Sequence, residues 1–219
     1  MGEGPSVHMK NGIVVIGAGG HAKVCIELLR AMGFRVACCV GGEDGPETCL
    51  DLPVLKGDAH LPELRKQGYS KVFVAIGANG VRQRLANAAG QLGYKLVNAI
   101  SPQSVISPSA RLGIGVAVMA GVVVNAETVI EDLAIINTGA CIDHDCRIGK
   151  AVHIAPQCGL AGNVSIGAGS FLGIGCKVIP DVRIGENVTL GAGAVVISNL
   201  ADETLAFGVP ARPINIKER

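Results

Sequence analysis

The sequence predicts a small N-terminal α/β domain with a parallel sheet, followed by a parallel β-helix built from six-residue repeats. Three observations support this prediction. An aliphatic residue occupies every sixth position from Ile106 to Val196, sixteen times without a miss. Strand-like and helix-like stretches alternate before this register begins. Aromatic residues are scarce, with two Tyr, four Phe and no Trp among 219 residues, which suits an interior too narrow for large rings.

The six-residue repeat must itself be the structural unit, because its period matches neither a helix nor a hairpin strand. We expect each repeat to form one short flat strand and a corner, with three repeats per coil and about five coils in total. The repeated aliphatic side chains should point inward, and the residue four positions later should be a small inward filler. The aliphatic positions are Ile106, Leu112, Val118, Val124, Ile130, Ile136, Ile142, Ile148, Ile154, Leu160, Ile166, Leu172, Val178, Ile184, Leu190 and Val196. Glycine directly follows six of them, where we expect the corner to need permissive backbone angles.

The N-terminal domain begins with a strand, a glycine turn and a helix. The apolar strand Ile13 to Ile16 precedes Gly17-Ala18-Gly19-Gly20-His21-Ala22, which fits the pattern G-x-G-x-x-A, and an amphipathic helix is expected from Ala22 to Met32. Such a turn presents backbone N–H groups and a helix N-terminus to a phosphate, although a plain strand-to-helix connection gives the same pattern. Fewer than a hundred residues precede the repeats. A Rossmann-like domain for one nucleotide therefore fits better than a full dinucleotide fold.

Further strands and helices should complete this domain. Strands are expected at Val36 to Val40, Lys71 to Ile76 and Lys95 to Ala99, and helices at Leu61 to Lys66 and Val81 to Leu92, an alternation typical of a parallel α/β sheet. We divide the chain into a disordered leader (1–11), the α/β domain (12–100), the β-helix (101–200) and a C-terminal capping tail (201–219).

Composition excludes several classes of protein. The formal net charge is +1 and no basic stripe is present, which argues against a nucleic-acid partner. The uncharged run between Lys150 and Lys177 could span a bilayer, but its proline, asparagine and glycines stay in strict register, so we assign it to coils. No signal peptide is evident. Eight cysteines form no C-x-x-C pair, and Cys146, Cys158 and Cys176 fall on the small inward position. We expect these three to be small buried fillers with free thiols, and we expect a cytoplasmic protein.

The candidate catalytic residue is His144. Only this residue and His153, of five histidines, lie within the repeats. His144 occupies neither the aliphatic nor the small inward position, so it should project from the coil, between Asp143 and Asp145. Flanking carboxylates can fix the tautomer of an imidazole and raise its basicity, as a general base requires. A solvated or interface histidine is the alternative.

These features together resemble one known family. They are the glycine turn with His21, the segment Asn137 to Cys146 with its Ile-Asp-His-Asp sequence, His153, Ala161-Gly162-Asn163 and the closing Gly-Val-Pro-Ala. Over nearly the whole chain from Gly12 they are similar to bacterial nucleotide-sugar acetyltransferases of the sialic acid O-acetyltransferase-like, hexapeptide-repeat family. The stretch from Val116 to His144 is most similar to the members that act on GDP-perosamine. The resemblance implies a left-handed β-helix, a hand that periodicity alone does not give.

The resemblance also implies an activity and a set of site residues. The activity is acetyl-CoA-dependent N-acetylation of the 4-amino group of a nucleotide-linked 4-amino-4,6-dideoxy sugar, with GDP-perosamine as the first candidate. His144 would be the general base and Asp145 would orient it, with direct attack of the amine on the thioester and no metal. The implied acetyl-CoA-binding residues are His153, Gly162, Gly173, Ile174 and Ala192. The implied substrate-binding residues are Gly19, Gly20, His21, Gly77 and Asn79. A homotrimer with active sites between subunits, serving O-antigen or lipopolysaccharide biosynthesis, is also implied.

Several alternatives stay open. Relatives that use UDP-sugars carry two adjacent acidic residues after the second strand, whereas this chain has Gly41-Gly42, which argues against UDP and leaves the sugar undetermined. O-acetylation of sialic acid would use the same residues. A zinc hydratase like the γ-class carbonic anhydrases needs three imidazoles, and the repeats offer two histidines. The last alternative is a non-catalytic scaffold or a nicotinamide-binding regulator.

Overall fold

The computed structural model describes residues 12–214, which form two compact units. The first unit contains residues 12–76 and 81–98, and the second contains residues 77–80 and 99–214. The expected leader, residues 1–11, lies outside the described residues, as does the end of the expected capping tail. Within residues 12–214, no helix combines the length and the apolar character needed to cross a bilayer.

The first unit is an α/β unit with a six-stranded sheet in the order β3-β4-β2-β1-β5-β6. Its strands are β1 (Ile13–Ile16), β2 (Val36–Gly41), β3 (Thr48–Cys49), β4 (Leu52–Lys56), β5 (Lys71–Val74) and β6 (Lys95–Leu96). Its helices are α1 (Gly20–Ala31), α2 (His60–Lys66) and α3 (Asn79–Gln91), the first two residues of α3 grouping with the second unit. Only β3 runs antiparallel to its neighbour. Because β1 pairs with β2 on one side and β5 on the other, the strand order reverses at β1, where such sheets bind ligands beyond the strand ends.

Several elements of this unit differ from the sequence prediction. The helices α1 and α3 each begin two residues earlier than expected, and β5 ends two residues earlier. The strand β4 was not predicted, because Pro53 interrupts the apolar pattern. In the structure Leu52 and Val54 are buried on either side of the exposed Pro53. The strand pairs with β2 in parallel and with β3 in antiparallel orientation. The predicted strand from Lys95 to Ala99 is split, because β6 belongs to the first unit and the next strand joins the repeats.

The second unit is a parallel β-helix, as the period of six predicts. Its strands are β7 (Ala99–Ile100), β8 (Val105–Ile106), β9 (Arg111–Leu112), β10 (Ala117–Val118), β11 (Val123–Val124), β12 (Val129–Ile130), β13 (Ile135–Ile136), β14 (Cys141–Ile142), β15 (Arg147–Ile148), β16 (His153–Ile154), β17 (Gly159–Leu160), β18 (Ser165–Ile166), β19 (Phe171–Leu172), β20 (Lys177–Val178), β21 (Arg183–Ile184), β22 (Thr189–Leu190), β23 (Val195–Val196), β24 (Leu205–Phe207) and β25 (Arg212–Pro213). Every repeated aliphatic residue ends one of the strands β8 to β23. The series of six-residue repeats also begins one repeat earlier than predicted, since β7 pairs with β10.

Three sheets form the faces of the prism. Face I contains β7, β10, β13, β16, β19, β22, β24 and β25; face II contains β8, β11, β14, β17, β20 and β23; face III contains β9, β12, β15, β18 and β21. Equivalent residues of successive coils are therefore eighteen positions apart, as in the pairing of Ile136 with Ile154. We call the turns from face I to face II corner 1 and those from face II to face III corner 2.

The interior is filled as the sequence predicts. From Val118 to Val196 all the repeated aliphatic residues are buried, whereas Ile106 and Leu112 in the first coil are half-buried. From Val116 onward the small positions are buried as well, including Cys146, Cys158 and Cys176. All eight cysteines are free thiols.

Polar side chains at the small inward position bond to the next coil. The Thr128 hydroxyl donates to the Asp143 carbonyl at 2.7 Å, and the Cys176 thiol donates to the Gly191 carbonyl at 3.1 Å. The Ser170 hydroxyl donates to the Gly185 carbonyl at 2.9 Å and accepts from the Val188 N–H at 3.0 Å. These side chains carry hydrogen-bond partners inside the prism, as buried polar groups must.

The prediction about corner glycines was wrong. Positive φ angles fall on the third residue after the aliphatic position, as at Asp145 (59°) and Gly175 (75°), and not on the glycine that directly follows it. That first glycine instead allows close stacking. At Gly173 a Cβ would lie 2.7 Å from the Ala192 nitrogen and 2.7 Å from the Leu190 oxygen of the next coil.

The last coil is covered by the C-terminal segment. Strand β24 pairs with β22, and β25 folds back antiparallel to β24. The Phe207 ring occupies the space where a side chain at Gly191 would stand. This arrangement covers part of the open end of the prism, which would otherwise expose unpaired strand edges.

Candidate functional site

The candidate site is built around His144, the second residue of a corner 2 turn between β14 and β15. Its side chain is 58 % exposed. The Nδ1–H group donates to the Asp145 Oδ2 atom at 2.7 Å, since a carboxylate oxygen can only accept. Asp145 itself has a φ of 59°, the backbone conformation found at this position of many corners. The proton on Nδ1 leaves Nε2 as the basic nitrogen of the neutral ring.

The turn that carries His144 is fixed by Asp143. Its Oδ1 atom accepts from the His144 N–H at 2.8 Å and from the Asn125 side-chain amide at 3.0 Å. These two hydrogen bonds lower the pKa of the Asp143 carboxyl. The hydrogen bond to Asp145, and then the negative charge of Asp143, raise the pKa of the His144 imidazole above its usual value. A more basic imidazole is a stronger proton acceptor while its ring is neutral.

Gly162 lies one coil after His144 at the same place in corner 2. The Asn163 N–H donates to the His144 carbonyl at 2.9 Å, which places the two turns in contact. A Cβ on Gly162 would lie 2.6 Å from Cε1 and 2.7 Å from Nε2 of the His144 ring. The structure therefore brings Gly162 directly against the imidazole.

Three other residues expected to bind acetyl-CoA lie on corner 1. Gly173 is buried, Ile174 is 53 % exposed and Ala192 is exposed. Ile174 and Ala192 occupy equivalent places in successive turns, and the Gly193 N–H donates to the Ile174 carbonyl at 2.8 Å. Corner 1 and corner 2 lie at opposite sides of face II. Within one chain the structure therefore does not bring these residues together with His144.

His153 lies on face I, in β16, and is half-buried. Its Nδ1 atom is 3.4 Å from the Gly77 carbonyl oxygen and its Nε2 atom is 3.3 Å from the Asn137 side-chain nitrogen. Because a carbonyl only accepts and an amide nitrogen only donates, these contacts put the proton on Nδ1. The Phe171 ring packs edge-on at 5.2 Å. His153 is thus an imidazole whose ring is oriented by these contacts.

Gly77 and Asn79 were expected to bind substrate, and both contact the repeats, with which they group. The Asn79 side-chain amide donates to the Gly169 carbonyl at 2.8 Å and the Ser170 carbonyl at 3.1 Å. Gly77 offers its carbonyl to His153. The Asn79 amide nitrogen is therefore engaged by backbone carbonyls, and a role in substrate binding stays a prediction.

The glycine turn lies at the carboxyl end of β1 in the first unit. Gly19 caps α1 and Gly20 is its first residue, and a Cβ on either would meet nothing within 4 Å. Open backbone N–H groups at a helix N-terminus suit an anion. Burial, and then the positive charge of Arg82, lower the pKa of His21 to about 4, so its imidazole is neutral at pH 7.

Arg82 is a residue that the sequence analysis missed. Its side chain is 1 % exposed, the guanidinium donates to the Ile76 carbonyl at 2.9 Å, and burial lowers its pKa to about 10. Arg82, Leu85, Ala86 and Ala89 form the buried stripe of α3. A cation at helical spacing from three apolar residues is the signal that could have identified it. Asn125 was also missed, and the contact between Asn137 and His153 was not foreseen, because the partners lie eighteen and sixteen residues away.

The arrangement can accept a proton in a water-accessible place. The His144 ring presents Nε2 while Nδ1 is held by a carboxylate, the arrangement of a general base. Among residues 12–214, no group of three or more His, Cys, Asp or Glu side chains converges in a way that could hold a metal ion. The exposed His144 ring, with Nδ1 held by Asp145, suits acid–base chemistry.

Two family models match the chain. Residues 12–89 match the PglD N-terminal domain, and residues 163–198 match the bacterial transferase hexapeptide of six repeats. Among curated proteins, the UDP-N-acetylbacillosamine N-acetyltransferase of Bacillus subtilis is 36 % identical over 119 residues, covering 51 % of this chain and 52 % of that protein. The chain thus spans about half the length of that curated relative.

Solved structures match over nearly the whole chain. The crystal structure of PerB from Caulobacter crescentus, in complex with CoA and GDP-perosamine, is 55 % identical with a TM-score of 0.91, covering 93 % of this chain and 97 % of that chain. Variants of that enzyme with one histidine replaced by asparagine or alanine, in complex with the same two molecules, are 54 % identical with a TM-score of 0.90. The acetyltransferase domain of PglB from Neisseria gonorrhoeae, in complex with acetyl coenzyme A, is 38 % identical with a TM-score of 0.86, covering 94 % and 100 %.

Proposed function

The chain belongs to the family of hexapeptide-repeat acetyltransferases that carry a PglD-type N-terminal domain, and on that premise we propose that it transfers the acetyl group of acetyl-CoA to the 4-amino group of GDP-perosamine. The observation that carries this proposal is the exposed His144 ring with Nδ1 held by Asp145 at 2.7 Å. The likeness to PerB, whose structure contains CoA and GDP-perosamine, supports the choice of both substrates.

In the proposed reaction, Nε2 of His144 removes a proton from the sugar's amine. The amine nitrogen attacks the thioester carbonyl carbon, the new C–N bond forms and the C–S bond breaks. CoA leaves as the thiolate and takes up a proton. Asp145 keeps the proton of the neutral ring on Nδ1, so that Nε2 stays available. No covalent intermediate on the protein is needed.

The remaining site residues divide between the two substrates. We assign the phosphates of the nucleotide sugar to the turn of Gly19, Gly20 and His21, supported by its open helix N-terminus and a neutral imidazole that can donate. We assign acetyl-CoA to corner 1, where Ile174 and Ala192 are exposed, and to His153. We also propose that Gly77 and Asn79, which group with the second unit, contact the substrate.

The proposed active form is a homotrimer with sites between subunits. Support comes from the separation of His144 on corner 2 from Ile174 on corner 1, because face II lies between them. A neighbouring protomer can bring its corner 1 beside the corner 2 of the first, which a single prism cannot do alone. Light scattering should give the mass of three 22.3 kDa chains, and a monomer with full activity would contradict this part of the proposal.

The proposed location is the cytoplasm, and the proposed product is a building block for a surface polysaccharide such as the O-antigen. The eight free thiols support a reducing compartment. Fractionation of the producing cells tests the location, and a periplasmic enzyme would contradict it.

The experiment that tests the function is an assay of CoA thiol release with GDP-perosamine, and with UDP- and dTDP-linked 4-amino sugars and free sialic acid as competitors. We expect the fastest turnover with GDP-perosamine. His144→Asn should lower kcat at least about a hundredfold, the usual contribution of a general base. His60→Asn, the same change at an exposed histidine of α2, is the matched control. Acetylation of sialic acid alone, or full activity in His144→Asn, would reject the proposal.

A further inference from the structure

Gly162 stands in a column of corner 2 residues that are eighteen positions apart. The column contains Ala126, His144, Gly162, Pro180 and Ser198, each the second residue of its turn. The Asp145 N–H donates to the Ala126 carbonyl at 3.0 Å and the Asp181 N–H to the Gly162 carbonyl at 3.2 Å. The backbone of the column is therefore regular from coil to coil.

The backbone at Gly162 does not require glycine. Its φ is outside the positive range that disfavours side chains. Ala126, two coils before Gly162, and Pro180, one coil after it, occupy the same place in their turns and carry side chains. The absence of a side chain at 162 therefore needs another reason than conformation.

The reason is the ring of His144. A Cβ on Gly162 would lie 2.6 Å from Cε1, 2.7 Å from Nε2 and 3.3 Å from Cδ2 of the ring, whereas carbon atoms in contact are about 3.5 to 4.0 Å apart. The ring's opposite nitrogen, Nδ1, is tied to Asp145 at 2.7 Å. The space that a methyl group would fill is already occupied by the basic edge of the imidazole.

We propose that Gly162 is a positioning residue for the His144 imidazole, because its missing side chain leaves room for the Nε2 edge of the ring. We call this space at Gly162 the seat of the ring. This inference rests on the proposed function, in which Nε2 accepts the proton of the amine. It assigns Gly162 a role beyond the expected contact of its backbone with acetyl-CoA. The seat and the carboxylate act on opposite edges of the ring, so together they fix where Nε2 stands.

The expected cost of filling the seat follows from the distances. To restore contact distances with an alanine methyl group, the ring must move by about 1 Å. A displacement of about 1 Å at a reacting group lowers rates on the order of a hundredfold. The methyl carbon would otherwise stand 2.7 Å from Nε2, within the distance at which the amine must approach.

The first test is Gly162→Ala, assayed with GDP-perosamine and acetyl-CoA. We expect kcat to fall about a hundredfold, with the KM for acetyl-CoA changed less than about twofold. Gly90→Ala is the matched control, because a Cβ there meets nothing within 4 Å and the position is helical. A rise in the KM for acetyl-CoA with kcat unchanged would overturn the proposal.

A double-variant cycle separates the seat from a direct contact with acetyl-CoA. In His144→Ala the ring is gone, so adding Gly162→Ala should change the residual rate less than about twofold, since the two residues act as one unit. An equal loss in both backgrounds would show that Gly162 acts without the ring, and it would overturn the inference.

A third measurement needs no turnover. NMR titration of the His144 imidazole in the intact protein reports the ring's position, because the hydrogen bond to Asp145 and the charge of Asp143 raise its pKa. We expect a lower pKa in Gly162→Ala than in the wild type and in Gly90→Ala. An unchanged titration would show that the ring has not moved and would overturn the seat. If no nucleotide sugar is acetylated, the proposed function fails, while this titration still decides whether Gly162 seats the ring.

Discussion

The replacement Asp145→Asn tests how the site sets the basicity of His144. In the structure, Nδ1–H of His144 donates to Asp145 Oδ2 at 2.7 Å, and both side chains are 58 % exposed. This hydrogen bond is the largest cause, and the charge of Asp143 the next, of a His144 pKa above 6.5. In the proposed function His144 works in its neutral form, so the raised pKa moves the acid limb of the rate profile to higher pH than an ordinary imidazole would give. Removing the carboxylate should move that limb to lower pH.

The plateau of the profile should fall as well. An asparagine amide can donate to Nδ1, which leaves the ring proton on Nε2 and removes the basic nitrogen from the reaction. Loss of a partner that orients a metal-ligating imidazole costs roughly tenfold to a hundredfold in activity, and we expect a loss of the same order here. At pH values below the limb the rate falls tenfold for each pH unit, so the variant loses less of its own plateau rate there than the wild type does.

The assay is kcat/KM for GDP-perosamine from pH 5 to 9, with thiol release as the readout. Glu127→Gln is the matched control, because Glu127 occupies the place of Asp145 one coil earlier, is exposed, and also has a positive φ of 58°. It removes the same charge without touching the imidazole and should leave the limb in place. The reasoning is refuted if Asp145→Asn keeps both the limb and the plateau of the wild type.

Two further predictions concern stability. Ile154→Ala removes a side chain that is 0 % exposed inside the prism and should lower the free energy of unfolding, measured in urea, by about 2 to 5 kcal/mol. The control Ile197→Ala, at a side chain 45 % exposed, should change this free energy by less than about 0.5 kcal/mol. Equal losses in the two variants would contradict the assigned interior. The folded pKa of His21 is about 4, below the unfolded value of 6.5, so the unfolded chain binds more protons between these values and stability is lost as pH falls from 6.5 to 4. The loss of unfolding free energy over this pH range should reach about 3 kcal/mol in the wild type and should be absent from His21→Gln. Parallel curves of stability against pH for the wild type and His21→Gln would contradict the burial of this imidazole.

The β-helix could be predicted almost completely from the sequence, because one inward residue per strand repeats with an unbroken period. The same argument located the buried cysteines, since Cys146, Cys158 and Cys176 fall on the second inward position. Periodicity does not contain the hand of the coil, because mirror-related prisms bury the same residues. It also misassigned the corner glycines such as Gly173, whose role is set by the backbone of the next coil.

The α/β unit was harder to predict, since its elements are short and paired across long separations. Strand β4 contains Pro53 and pairs with β2 and β3, a tertiary context that local patterns do not carry. Arg82 was missed for a similar reason. Its side chain is buried against the Ile76 carbonyl and near His21, although a charged residue is ordinarily assigned to a solvated helix face.

The candidate site combines one feature that local sequence reveals with one that it hides. His144 and Asp145 are adjacent in the chain, so their pairing can be expected from the sequence alone. Gly162 is eighteen residues from His144, and its meaning appears only when the chain is aligned by coils, so that Ala126, His144, Gly162 and Pro180 fall in one column. In that alignment a glycine with an ordinary φ next to a histidine is an anomaly, and the ring explains it. For a coiled fold, the period of the whole coil therefore carries information about the site that the six-residue repeat does not.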